Sequence, residues 1–173
     1  MAILQVTKLG NPVLRKTAEA VPREAISTAK FKRLIDDMVA TMHACEGVGI
    51  AAPQIDVSWQ LAVIEVKADT RAERSIPLTV LINPRITASS KTMLDDWEGC
   101  LSINDLRGQV PRAEWVEVEM LSQKGQRVKF RAEGFFARVV QHECDHLVGH
   151  LFIDRMSHLK SLCHLREFVQ FVR

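Results

Sequence analysis

Apolar residues at Phe31, Leu34, Ile35, Met38, Val39 and Met42 recur at the three- and four-residue spacing of one helix face. The spacing predicts a helix with Ser27 as N-cap and Gly47 as its stop. The stretch Gly47-Val48-Gly49-Ile50-Ala51-Ala52-Pro53-Gln54 follows, and its glycines and proline disfavour continued helix. Runs rich in β-formers from Gln60 to Val66 and from Leu78 to Ile82 predict two strands, the second closed by Asn83-Pro84. Val116, Val118 and Met120 alternate with Glu117 and Glu119, Lys124-Gly125 supplies a turn, and Val128, Phe130 and Ala132 alternate again. That is the signature of a half-exposed antiparallel hairpin. Glu133-Gly134 ends the alternation before a helix from about Phe135 to Leu147. A last amphipathic helix is expected over about residues 157–173, with Leu159, Leu162, Leu165, Phe168 and Val169 on its apolar face. Strands grouped in the middle with helices at both ends predict an α+β fold, antiparallel strands packed around the helix near His142.

Composition narrows this picture. A chain of 173 residues, 47% hydrophobic, is long enough for one core, and no repeat or linker divides it, so residues 1–173 read as one domain. Lys and Arg number 23 against 21 Asp and Glu, and a net charge of +2 leaves no electrostatic footprint for DNA or an anionic membrane. Apolar stretches such as Leu61-Ala62-Val63-Ile64 are too short to span a bilayer, and Met1-Ala2-Ile3-Leu4-Gln5 does not open an export signal. The expected location is therefore the cytoplasm. Four scattered cysteines are unlike a secreted disulfide framework and read as free thiols or metal ligands.

Chemistry concentrates in His142-Glu143-Cys144-Asp145-His146, an H-E-x-x-H pattern on a predicted helix. Residues four apart lie one turn above each other, so both imidazoles can face one ion. Glu143 can then reach a water beside that ion without being a ligand. A catalytic site needs a third protein ligand and an open position. The metzincin pattern would put a third His where Phe152 stands, so it fails. Glu167 on the last helix and Cys100, in the Gly-containing turn Glu98-Gly99-Cys100-Leu101-Ser102, both remain candidates. Cys144 points away from the histidine face, and Cys45 and Cys163 read as buried helix thiols.

Three segments, residues 47–54, 98–102 and 141–147, stand in the order and spacing of the three peptide deformylase motifs, and the chain resembles that family. Flanking text is similar too: Gly10-Asn11-Pro12-Val13-Leu14-Arg15, Val110-Pro111-Arg112-Ala113 and Gly149-His150-Leu151-Phe152-Ile153-Asp154-Arg155. The resemblance implies removal of formyl groups from N-formylmethionyl nascent peptides, with one divalent metal held by Cys100, His142 and His146. It implies Fe(II), with Zn, Ni or Co as substitutes, since a Cys/His set does not select among them. Glu143 becomes the general acid/base, and the Gln54 amide and the Leu101 backbone N–H become the oxyanion donors. Main chain at Val48, Gly49 and Ile50 would pair with the peptide, and Val48, Glu98, Phe135, Val139 and His142 would line the methionine pocket. By the same resemblance the C-terminal helix, with Lys160, Arg166 and Arg173, would contact the ribosome, its apolar face packing on the core. Two features depart from the family: Ser102-Ile103-Asn104-Asp105 lacks a proline, and Arg138 replaces a usually apolar pocket residue. Helical spacing puts Arg138 on the His142 face, where it would narrow the pocket, recruit an acidic residue of the peptide or, the favoured reading, snorkel outward.

Overall fold

A computed structural model describes residues 1–67 and 75–172. In chain order it contains α1 (Arg23–Ile26), α2 (Ala29–Ala44), β1 (Gly49–Ala51), β2 (Leu61–Val66), β3 (Ile76–Ser89), β4 (Met93–Cys100), β5 (Ile103–Ala113), β6 (Trp115–Leu121), β7 (Arg127–Glu133), α3 (Gly134–His146), α4 (Phe152–Arg155), β8 (Cys163–His164) and α5 (Leu165–Phe171). The fold is α+β, as expected. Strands β1-β2-β3-β6-β7 form an antiparallel sheet in that order, and β4-β5-β8 form a second.

Strand β2 shows why α3 sits where it does. Its residues alternate, with Leu61 and Val63 packing among Phe31, Ile35, Met38 and Met42 of α2. Ala62 and Ile64 face the other way, into a cluster that holds Ala137, Val139 and Val140 of α3. A strand buried on both faces reads as an unbroken apolar run. Helices α2 and α3 are thus clamped on opposite faces of one sheet. A third cluster joins Leu14, Cys100, Ile103, Val110, Leu151 and Phe152, and packs the second sheet against α4 and the residues just before it.

Several boundaries differ from the sequence expectation. Helix α2 is capped by Thr28 and not Ser27: the Thr28 hydroxyl accepts from Phe31 N at 3.2 Å. Strand β3 does not end at Asn83-Pro84. Asn83 takes φ 50° where the register with β6 shifts, a bulge that asparagine tolerates. Its side chain bonds Val21 N at 2.8 Å and Val21 O at 2.9 Å, which repays the distortion. The segment read as a Gly-containing turn is strand as far as Cys100, which ends β4 and pairs with Ile103 across a tight turn.

The C-terminal segment is shorter in helix than expected. A 3-10 turn at Leu159–Ser161 leads into β8, which pairs Cys163 with Arg107 and His164 with Leu106, so α5 covers only Leu165–Phe171. Edge hydrogen bonding to β5 replaces the first turns of the helix, and the single apolar face is split. Leu162 packs in the third cluster and Phe168 lies 4.8 Å from the Trp97 ring, whereas Leu159 and Val169 are exposed. Arg173 lies outside the described residues. Cys163 is half-buried in a strand and Cys45 is exposed at the C-cap of α2, so neither is the buried helix thiol expected. No described helix is long and apolar enough to cross a membrane.

Candidate metal centre

Helix α3 places His142 and His146 one turn apart, with ring centroids at 5.0 Å. The end of β4 brings Cys100 up to them, its Sγ lying 3.3 Å from His146 Nε2. One ligand atom from each of Cys100, His142 and His146 falls within 4.8 Å of the others, and this is the one such group among the described residues. Glu167, the alternative third ligand, is exposed on α5 and stands outside it.

The surroundings favour an anionic sulfur. Burial pushes the Cys100 thiol up, but the charge on His146 and hydrogen bonds with both imidazoles outweigh it and hold the thiol well below its ordinary range. Ser102 N and Gln54 Nε2 also point at the sulfur, each at 3.4 Å. His142 Nδ1 lies 2.9 Å from Glu98 Oε2. A carboxylate only accepts, so Nδ1 carries the proton and Nε2 is the nitrogen free to ligate. A thiolate and two imidazoles, one of them oriented by Glu98 and all buried or nearly so, are a donor set that fits a divalent cation.

Glu143 is buried beside this cluster, and its Oε2 has no hydrogen-bond partner. Burial is the largest influence on it and raises its pKa to about 7. An orphaned carboxylate oxygen there wants a water or a substrate atom. Gly49 on β1 lets it come this close: a Cβ on Gly49 would overlap Glu143 Oε1 and sit 2.9 Å from Cδ. Gly49→Ala is expected to push the carboxylate aside and cost about 10²-fold in turnover, since a displacement near 1 Å is worth that much. Metal content should hold, as measured beside the rate; wild-type turnover would show that the carboxylate relocates harmlessly.

These groups open on a cavity of about 380 Å³, within the range of small-ligand sites. Val48, Gly49, Gln54, Glu98, Leu101, Phe135, Val139, His142 and Glu143 all line it. Ile50 does not, because its side chain is fully buried in the first apolar cluster and only its backbone lies on β1. The Glu98 carboxylate is held by Arg112 at 2.9 and 3.1 Å and by Arg138 at 2.8 Å, so it meets the cavity with its hydrogen bonds already committed. Arg138 does not snorkel outward. It is buried, because Glu98 and strand carbonyls give its donors partners inside the fold.

Sequence reasoning missed Trp97, Arg107 and Leu165 on the cavity wall. It also gave no role to Arg112 or Asp145, whose ion pair at 2.5 Å lies just behind the site. Arg112 stood in a quoted flanking segment and Asp145 inside the histidine motif, but nothing in spacing says that the two meet.

Residues 3–162 match the family profile described as polypeptide deformylase. Peptide deformylase 1 of Bordetella pertussis is 45% identical over 156 residues, 89% of this chain and 88% of that protein. Peptide deformylase 2 of Pseudomonas putida is 41% identical over 157 residues, covering 90% and 88% respectively. A class I type b peptide deformylase from Acinetobacter baumannii bound to Met-Ala-Ser superposes with a TM-score of 0.85 at 39% identity, over 90% of this chain and 99% of that one.

Proposed function

This chain belongs to the peptide deformylase family, and from that premise we propose that Cys100, His142 and His146 hold its metal, with Glu143 as general acid/base. The chain is a metal-dependent hydrolase that removes the N-formyl group from formylmethionyl peptides of newly made proteins. What carries the assignment of roles is one observation: three convergent ligand atoms beside a buried carboxylate with an unpartnered oxygen, on the wall of a cavity of about 380 Å³.

A divalent ion in this site supplies Lewis acidity, bringing the pKa of a water toward neutrality and polarising a carbonyl. Glu143 accepts the proton of the water that attacks the formyl carbon, then delivers it to the peptide nitrogen as the C–N bond breaks, leaving formate and a free amine. Negative charge gathers on the formyl oxygen in between. Gln54 lines the cavity and is oriented by Oε1, which accepts from Ala51 N at 2.8 Å; Nε2 then donates to Cys100 Sγ at 3.4 Å and Ser102 Oγ at 3.2 Å, and one of these contacts gives way when the amide meets the formyl oxygen. The backbone N–H of Leu101 is the second donor in this reading. Strand β1 lies at the edge of its sheet, paired to β2 on one side, so its other edge suits an extended peptide added as a strand. Phe135 and Val139, one helical turn apart, give the methionine side chain an apolar wall.

The direct test is formate release from a formyl-Met peptide by metal-loaded, reduced protein; no release would sink the reading. Gln54→Ala should retain metal and lose about 10²–10³ in kcat if the amide supports the oxyanion. A rise in KM alone would assign it to ground-state binding.

Fe(II) as the working ion and action in the cytoplasm belong to the same proposal, as does ribosome contact through the C-terminal segment. Exposed Lys160 and Arg166 beside exposed Leu159 and Phe171 support the last of these. Lys160→Glu with Arg166→Glu should abolish salt-sensitive co-sedimentation with ribosomes and spare activity on short peptides. Wild-type protein that never sediments would end it.

A further inference from the structure

Arg138 sits one turn before His142 on α3, buried, at a position the metal chemistry does not use. Its Nη1 donates to Glu98 Oε1 at 2.8 Å and to Val110 O at 2.7 Å, and its Nη2 donates to Leu94 O. Arg112 reaches the same carboxylate from β5, Nε to Oε1 at 2.9 Å and Nη2 to Oε2 at 3.1 Å. His142 Nδ1 takes the remaining place, on Oε2 at 2.9 Å. A carboxylate has about four lone-pair sites, and these contacts fill them.

We propose that Arg138 is a positioning residue for His142, acting through Glu98: by occupying Oε1 it leaves Oε2 for the imidazole and fixes which ring nitrogen faces the metal. The inference rests on reading Cys100, His142 and His146 as the ligands. Arg112 grips both oxygens of Glu98 through Nε and Nη2, but its own position depends on a further partner. Its Nη1 binds Asp145 Oδ2 at 2.5 Å, and Asp145 is in turn drawn toward the half-exposed Arg155. Arg138 pins Glu98 to fixed backbone, the Leu94 carbonyl of β4, which also carries Glu98, and the Val110 carbonyl of the neighbouring β5. An apolar residue at 138 would line the cavity equally well but would leave one site on Oε1 unfilled, so that the carboxylate would follow Arg112 alone and could shift relative to His142.

The test uses zinc affinity by chelator competition, the His142 ring-nitrogen NMR signature and the melting temperature, on Arg138→Met and on Glu98→Gln. Arg138→Met keeps an unbranched stem and removes every donor. Both variants should bind zinc about 10–100-fold more weakly, as loss of a partner behind a ligand does, with the His142 signal no longer that of one tautomer. The double variant should be little worse than either single one, because both act on one chain of contacts. Should Arg138→Met fail to fold, Glu98→Gln carries the test, since without an effect there Arg138 has nothing to act through. A lowered melting temperature with unchanged zinc affinity and tautomer would reduce Arg138 to a structural staple and overturn the proposal. Tighter zinc binding would overturn it too, by showing that its charge opposes the cation. Wild-type zinc affinity in His142→Ala would instead sink the ligand assignment itself.

Discussion

Glu143→Ala is expected to keep its metal and lose about 10²–10⁴ in kcat, the share of a positioned proton-transfer group. Retained metal follows from position: Glu143 follows His142 on α3 but is absent from the ligand cluster. Lost turnover follows from environment. The carboxylate is buried with Oε2 unpartnered, and burial brings its pKa to about 7, close to the value at which one group both accepts and returns a proton efficiently. Glu143→Gln separates proton transfer from shape, because the amide fills the same space and cannot act as the base. It should fall as far as the alanine variant. Metal analysis beside single-turnover formate release decides the matter, and near wild-type rates in metal-replete Glu143→Ala would end the mechanism as written.

Cys100→Ser should strip the site of metal under conditions in which wild-type protein is fully loaded, and activity should go with it. The sulfur is poised as a thiolate, held down by two imidazoles and approached by Gln54 and Ser102 N–H donors. A serine hydroxyl at neutral pH stays protonated and is a far poorer ligand. The loss in affinity should exceed the about 10–100-fold that attends loss of a group behind a ligand. Chelator treatment of wild-type protein gives the matching control: activity disappears and returns when the ion is restored. Unchanged metal content and rate in Cys100→Ser would move the third ligand elsewhere.

Much of the site was legible because its information is local. The four-residue spacing of His142 and His146 on a helix with apolar Val139 and Val140 behind them fixes two ligands on one face, whatever the rest of the chain does. The β6–β7 hairpin was legible for the same reason, since alternation over a few residues decides which side chains face the core. Cys100 was harder. It lies 46 residues before His146, and reading it as a ligand from sequence required the family resemblance.

By itself, then, the sequence determined the elements whose pattern repeats within a turn or a strand, together with the paired histidines and the carboxylate beside them. Tertiary structure alone decided the rest. Arg138 turns inward because Glu98 and the carbonyls of Leu94 and Val110 happen to lie within reach, and a spacing rule cannot register partners brought by other strands. The C-terminal helix is cut back to Leu165–Phe171 because β5 offers an edge at Leu106 and Arg107, although residues 159–169 carry a helical pattern. The physical reason is common to both. Periodicity records how a segment would bury itself unaided, whereas charge pairing and backbone hydrogen bonding depend on which distant groups the folded chain sets alongside it.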